Sequence, residues 1–72
     1  MNSISATDFI FIKENLKRET AILLDAGKEY LVERRLAPIV RTSQLSSIAE
    51  LIELLRNDSK HPLWKKAIEA LT

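Results

Sequence analysis

Apolar residues recur along this chain at intervals of three and four, the spacing of one face of an α-helix. Ile48, Leu51, Ile52 and Leu55 stand at i, i+3, i+4 and i+7, and Trp64, Ala67, Ile68 and Leu71 repeat that spacing. Phe9, Ile12 and Leu16 fall within about 60° of each other at 100° per residue, and Val32, Leu36, Ile39 and Val40 span about 100°. No segment offers a strand of comparable quality. The pattern therefore predicts four helices and an all-α fold with short loops.

Polar residues mark the boundaries. Residues 1–4 read as a loose leader. Ser5 caps the first helix, with Asp8 three residues on, near the positive end of the helix dipole. Thr20-Ala21-Ile22-Leu23-Leu24 reads as an apolar connector that plugs the core. Asp25 is placed to cap a second helix running from about 26 to about 42, and Pro38 lies inside it. Because proline lacks an N–H and its ring crowds the preceding turn, this helix is expected to be kinked or interrupted near Pro38. Thr42-Ser43-Gln44 is the turn that follows, and Leu45 is placed to staple the third helix. Ser47 and Glu50 form an S-x-x-E capping box at the start of that helix. After the polar loop at 57–61, Pro62 suits the first turn of a fourth helix.

Composition narrows the class. Seventy-two residues make one domain, expected to have a radius of gyration of about 11 Å. With 46% hydrophobic residues and a net charge of +1, the chain packs rather than staying disordered. There is no cysteine and one histidine, so neither a disulfide nor a zinc cluster holds it together. No signal peptide pattern opens the chain, and no run reaches the roughly 18–20 apolar residues of a membrane span.

Several chemistries have no support in the residues. Nucleotides and S-adenosylmethionine are usually held by a glycine-rich turn after a strand, where backbone approaches the ligand closely; the single glycine cannot build one. His61 lacks a companion ligand or nucleophile and reads as a loop residue beside Pro62. Asp25, Glu29 and Glu33 read as helix-start anions and surface ion partners. The chain by itself is expected to have no catalytic residues, cofactor site or metal site.

Charge clusters in one place. On the second helix Lys28 and Arg35 lie about 20° apart, as do Arg34 and Arg41, and all four are expected on an arc opposite the core, about 20 Å long. Spacing alone leaves two readings open: a solvated face partly neutralised by Glu29 and Glu33, or a surface for carboxylates or phosphates, which arginine contacts through a planar fork.

An ordered set of residues resembles one family. Ser5-x-x-x-Phe9-x-x-Ile12, Ala21-Ile22-Leu23-Leu24, Lys28, Leu31-Val32, Arg35-Leu36, Arg41, Leu45-Ser46-Ser47 and Trp64-x-x-x-Ile68-x-Ala70-Leu71-Thr72 are similar in order and spacing to the N-terminal domain of bacterial chemotaxis receptor methyltransferases, the CheR family. The resemblance covers residues 5–72. It implies the substrate-recognition domain of a cytoplasmic enzyme that moves methyl groups from S-adenosylmethionine to glutamates of chemoreceptors. It implies too that a methyltransferase domain follows Thr72 and that the basic second helix faces the receptor's methylation helices. Carried over by position, Lys28, Arg35 and Arg41 are the receptor contacts; Arg34 joins them from helical angles alone. Glu29 and Pro38 depart from the more basic family members, which weakens the expected field.

Two other functions stay on the table. One is a nucleic-acid or anionic-nucleotide module using Arg34, Arg35 and Arg41, against which the near-zero net charge counts. The other is an interaction domain docking through Ile10 and Phe11.

Overall fold

Helices form where the apolar spacing places them: α1 (Ala6–Thr20), α2 (Glu29–Thr42), α3 (Ile48–Asn57) and α4 (Leu63–Leu71). The computed structural model describes residues 4–21, 23–25 and 27–72, and among these there is no strand. The radius of gyration is 10.9 Å. α2 lies against both α3 and α4, and α1 lies against α3. Between them Ile12, Leu16, Val32, Leu36 and the α3 residues Ile48, Leu51, Ile52 and Leu55 are almost wholly withdrawn from solvent.

α1 opens as the sequence predicts. Ser5 is extended and its Oγ accepts the Asp8 N–H at 3.1 Å, while Phe9, Ile12 and Leu16 are buried. Ile4 is not part of a loose leader: it is buried, and its N–H donates to Glu33 Oε1 at 2.8 Å. Residues 1–3 lie outside the described residues. α1 stops at Ala21, in the left-handed region with φ 63°, whose N–H closes on the Lys17 carbonyl at 2.9 Å. Among the described residues of the apolar connector, Leu24 alone enters the core, and Leu23 is 65% exposed; Ile22 lies outside the described residues.

The second helix begins later than predicted, at Glu29, and Asp25 does not cap it. The cap position is Lys28, with no side-chain cap bond, and the Asp25 backbone carbonyl instead accepts the Lys28 N–H at 3.3 Å. Gly27 explains the delay: at φ +89° it takes a conformation that belongs to turns rather than helices and that glycine adopts without a Cβ clash. Ala26, inside the predicted helix, lies outside the described residues. Of the kink or interruption expected at Pro38, the interruption does not occur: α2 runs through it. The ring is exposed while Leu36, Ile39 and Val40 on either side are buried, so packing holds the helix where one hydrogen bond is missing.

α2 ends in a Schellman arrangement. Gln44 is left-handed at φ 57°, its N–H donates to Arg41, and the Leu45 N–H donates to Val40 at 2.9 Å. Leu45 packs, half-buried, on the core, the apolar contact that usually accompanies this motif. At α3, Ser47 Oγ accepts the Glu50 N–H at 3.1 Å. The return bond of the box is displaced by one residue: Glu50 Oε1 accepts from the Ser46 N–H at 2.6 Å and from Ser46 Oγ at 2.9 Å. These bonds, the backbone one first, hold the Glu50 carboxyl below the usual glutamate range against a small opposing effect of burial.

Trp64 is less buried than its stripe suggests, because it sits at the edge of the bundle and not in its centre. The indole N–H donates to the Leu55 carbonyl at 3.2 Å and the ring meets Phe11 at 5.7 Å between centroids. Phe11 is thus covered within the domain, whereas Ile10 remains 52% exposed, so the two do not form one docking patch.

Candidate functional site

α2 sorts its charged residues into three strips. Val32, Leu36, Ile39 and Val40 are buried and define the inward direction. Tyr30, Arg34 and Arg41 fall within about 40° of one another on the opposite side at 100° per residue, and all three are exposed. Glu29 and Glu33 lie along the edge of the core beside Val40, about 20° to either side of it.

Lys28 and Arg35 occupy the other edge, which corrects the expectation that all four cations share an outward arc. Four residues advance a helix by only about 40° net, so Lys28 lies about that far from Val32, and Arg35 from Ile39. Lys28 is half-buried at the cap position, its carbonyl accepting the Leu31 and Val32 N–H groups at 3.0 and 3.2 Å. Arg35 reaches across to α4, where its Nη1 donates to the Ala70 carbonyl at 3.2 Å. A cation there complements the negative end of the α4 dipole.

The acids of α2 do not neutralise its cations. Glu33 is engaged by the Ile4 N–H, and the one ion pair among the described residues joins Arg56 to Asp8. Arg34 and Arg41 therefore face solvent without a counter-ion among the described residues. Helical angles added Arg34 from the sequence, beside Arg41 from the family resemblance; the same arithmetic finds Tyr30, which charge alone does not reveal.

Elsewhere the structure offers less chemistry. His61 Nδ1 accepts the Leu63 N–H at 3.1 Å, so the imidazole serves the start of α4. Among the described residues no group of three or more His, Cys, Asp or Glu side chains could hold a metal ion, and no helix is long and apolar enough to cross a membrane. A notch of about 120 Å³ lies between Asn15, Arg18, Glu19, Ser59, Trp64 and Ile68. That is below the roughly 300–1,000 Å³ of typical small-molecule sites.

A family model described as "CheR methyltransferase, all-alpha domain" matches residues 7–72. The chain belongs to that family. The matched segment takes in all four helices except the first residue of α1, so the three strips of α2 belong to the CheR domain proper. Comparison with curated proteins and with solved structures gives no match.

Proposed function

We propose that this CheR domain is the N-terminal substrate-recognition module of a cytoplasmic chemotaxis methyltransferase, an enzyme that transfers methyl groups from S-adenosylmethionine to glutamate side chains of chemoreceptors. The domain supplies a cationic surface on α2 for the acidic methylation helices. The cofactor and the transfer chemistry belong to a methyltransferase domain that follows it. Receptor contact is assigned to Arg34 and Arg41 on the outward strip, with Arg35 and Lys28 at its flank.

The observation that carries this reading is the exposure of Arg34 and Arg41 without a counter-ion among the described residues. Partly solvated guanidinium groups attract carboxylates over a screening length of about 8–10 Å at ordinary salt and steer association more than they tighten it. A net charge of only +1 favours a local acidic partner over a nucleic acid, whose binding modules are strongly basic.

The test uses the full-length methyltransferase carrying this domain. Arg34→Ala with Arg41→Ala should lower receptor methylation and leave S-adenosylmethionine affinity unchanged. The wild-type rate should fall as salt rises, and the double variant's should fall proportionally less. A double variant that methylates receptors at the wild-type rate at every salt concentration would reduce α2 to a solvated face.

A further inference from the structure

Tyr30 is 57% exposed, and its hydroxyl has no hydrogen-bond partner among the described residues. It stands in the first turns of α2, on the same strip as Arg34 and Arg41. We propose that Tyr30, Arg34 and Arg41 form an aromatic–cationic stripe that docks an acidic amphipathic helix, with Tyr30 as its apolar anchor. This rests on the proposed substrate-recognition role and names the part of α2 that performs it.

Three observations converge on such a partner. The first is composition: tyrosine and arginine are enriched at the centres of binding surfaces, where a rigid ring and a planar fork give large contact at little entropic cost. The second is the surface between them. Ala37 and Pro38 fill the stretch from Arg34 to Arg41, and both are short side chains that let another backbone come near. The third is charge. Glu29 and Glu33 lie about 60° or more around the helix from Tyr30 and Arg41, with Glu33 already bonded to Ile4.

Spacing then selects the partner's pattern. Arg34 and Arg41 are seven residues apart, about 10.5 Å along the axis at 1.5 Å per residue. A helix lying alongside α2 meets both with carboxylates one heptad apart, since seven residues return within about 20° of the same direction. Tyr30 is one turn nearer the start of α2, about 6 Å from Arg34. The partner should therefore carry an apolar residue one turn beyond its outer carboxylate. Arg35 takes no primary part, because its guanidinium already serves the Ala70 carbonyl.

The test titrates the present chain with a helical peptide of three heptads bearing glutamates at i and i+7 and a leucine four residues beyond. A control peptide of the same composition has its glutamates five residues apart. The heptad peptide should bind more tightly than the control. Tyr30→Ala should weaken binding roughly tenfold with the salt dependence unchanged, and Tyr30→Phe should bind as the wild type does. Arg34→Ala with Arg41→Ala should weaken binding and flatten the salt dependence. Unaltered circular dichroism melts show that the variants fold. If the wild type binds and Tyr30→Ala binds equally well, the anchor is overturned while the substrate-recognition reading stands. Equal binding of both peptides overturns the heptad register. If neither peptide binds, or a nucleic-acid duplex binds more tightly than both, the recognition of acidic helices fails along with the anchor.

Discussion

The Arg56 guanidinium lies over the Phe11 ring, its carbon 4.5 Å from the centroid, while its Nη2 pairs with Asp8 at 2.7 Å. One side chain at the end of α3 thus holds two successive turns of α1. Behind Phe11 stands Trp64 of α4, so three helices meet at one aromatic–cationic stack.

Replacing Arg56 should show how much that stack holds. An exposed cation–π contact contributes about 0.5–1 kcal/mol and a partly exposed ion pair about 0.2–1 kcal/mol. Arg56→Ala should therefore destabilise the domain by about 1–1.5 kcal/mol in urea denaturation. Asp8→Asn removes the ion pair, together with the charge at the start of the α1 dipole, and keeps the ring contact, so it should lose less than Arg56→Ala. Arg56→Ala made in the Asp8→Asn background should still lose about 0.5–1 kcal/mol, and no further loss there would mean that the ring contact contributes nothing.

Two turns carry the wrong residue for their backbone, and both should be improvable. Ala21 and Gln44 adopt φ 63° and 57°, where a Cβ is disfavoured by roughly 1–2 kcal/mol. Ala21→Gly and Gln44→Gly relieve that strain, less the greater freedom glycine gives the unfolded chain. Each should raise stability by about 0.5–1 kcal/mol. Gly27→Ala should do the reverse by about 1 kcal/mol, although a Cβ there meets nothing within 4 Å. The cost would be one of backbone conformation alone.

These positions also mark where the fold stopped being legible. The caps at Ser5 and Ser47 and the stripes of α1 and α3 follow from side-chain chemistry that acts within one turn, and the sequence states them openly. The polar run at 42–44 marks the second of these turns, but neither Ala21 nor Gln44 is a glycine or asparagine, so neither side chain signals a left-handed backbone. Asp25 drew attention as a cap while Gly27, two residues on, decided where α2 could begin. Pro38 suggested a kink or a break, and α2 runs through it without a break. At the site, helical angles added Arg34, while Lys28, Arg35 and Arg41 came from the family resemblance; the angles taken relative to the buried residues of α2 leave Arg41 outward with Arg34 and put Lys28 and Arg35 beside the core.

Acid should weaken the start of α3. Ser46 bonds favour the ionised form of Glu50, so its folded pKa lies below its unfolded value. A carboxylate shifted this way adds stability above the unfolded pKa, and that stability is lost as pH falls through the folded pKa. The wild type should exceed Glu50→Gln in stability near neutral pH, and the difference should vanish below the carboxylate range. Proton NMR titration should place the Glu50 transition below that of an unstructured glutamate. A transition at or above that value would mean the Ser46 bonds do not favour the charged form.

The bond from Arg35 to the Ala70 carbonyl separates the tied cation of α2 from the free ones. A cation at the end of a helix contributes about 0.3–1 kcal/mol through the dipole and the last carbonyls. Arg35→Ala should lower stability by about that amount, whereas Arg34→Ala and Arg41→Ala should stay within roughly ±0.5 kcal/mol, as unpaired surface changes do. Hydrogen exchange should locate the effect. The Thr72 N–H donates to Ile68 at 3.0 Å in the last turn of α4, and it should exchange faster in Arg35→Ala than in Arg34→Ala. Arg35→Lys should restore part of the protection, since a point charge keeps the dipole interaction but not the fork. Unchanged exchange at Thr72 in Arg35→Ala would mean that α4 does not depend on this bond. Arg35 would then be as free as its neighbours to meet an acidic partner.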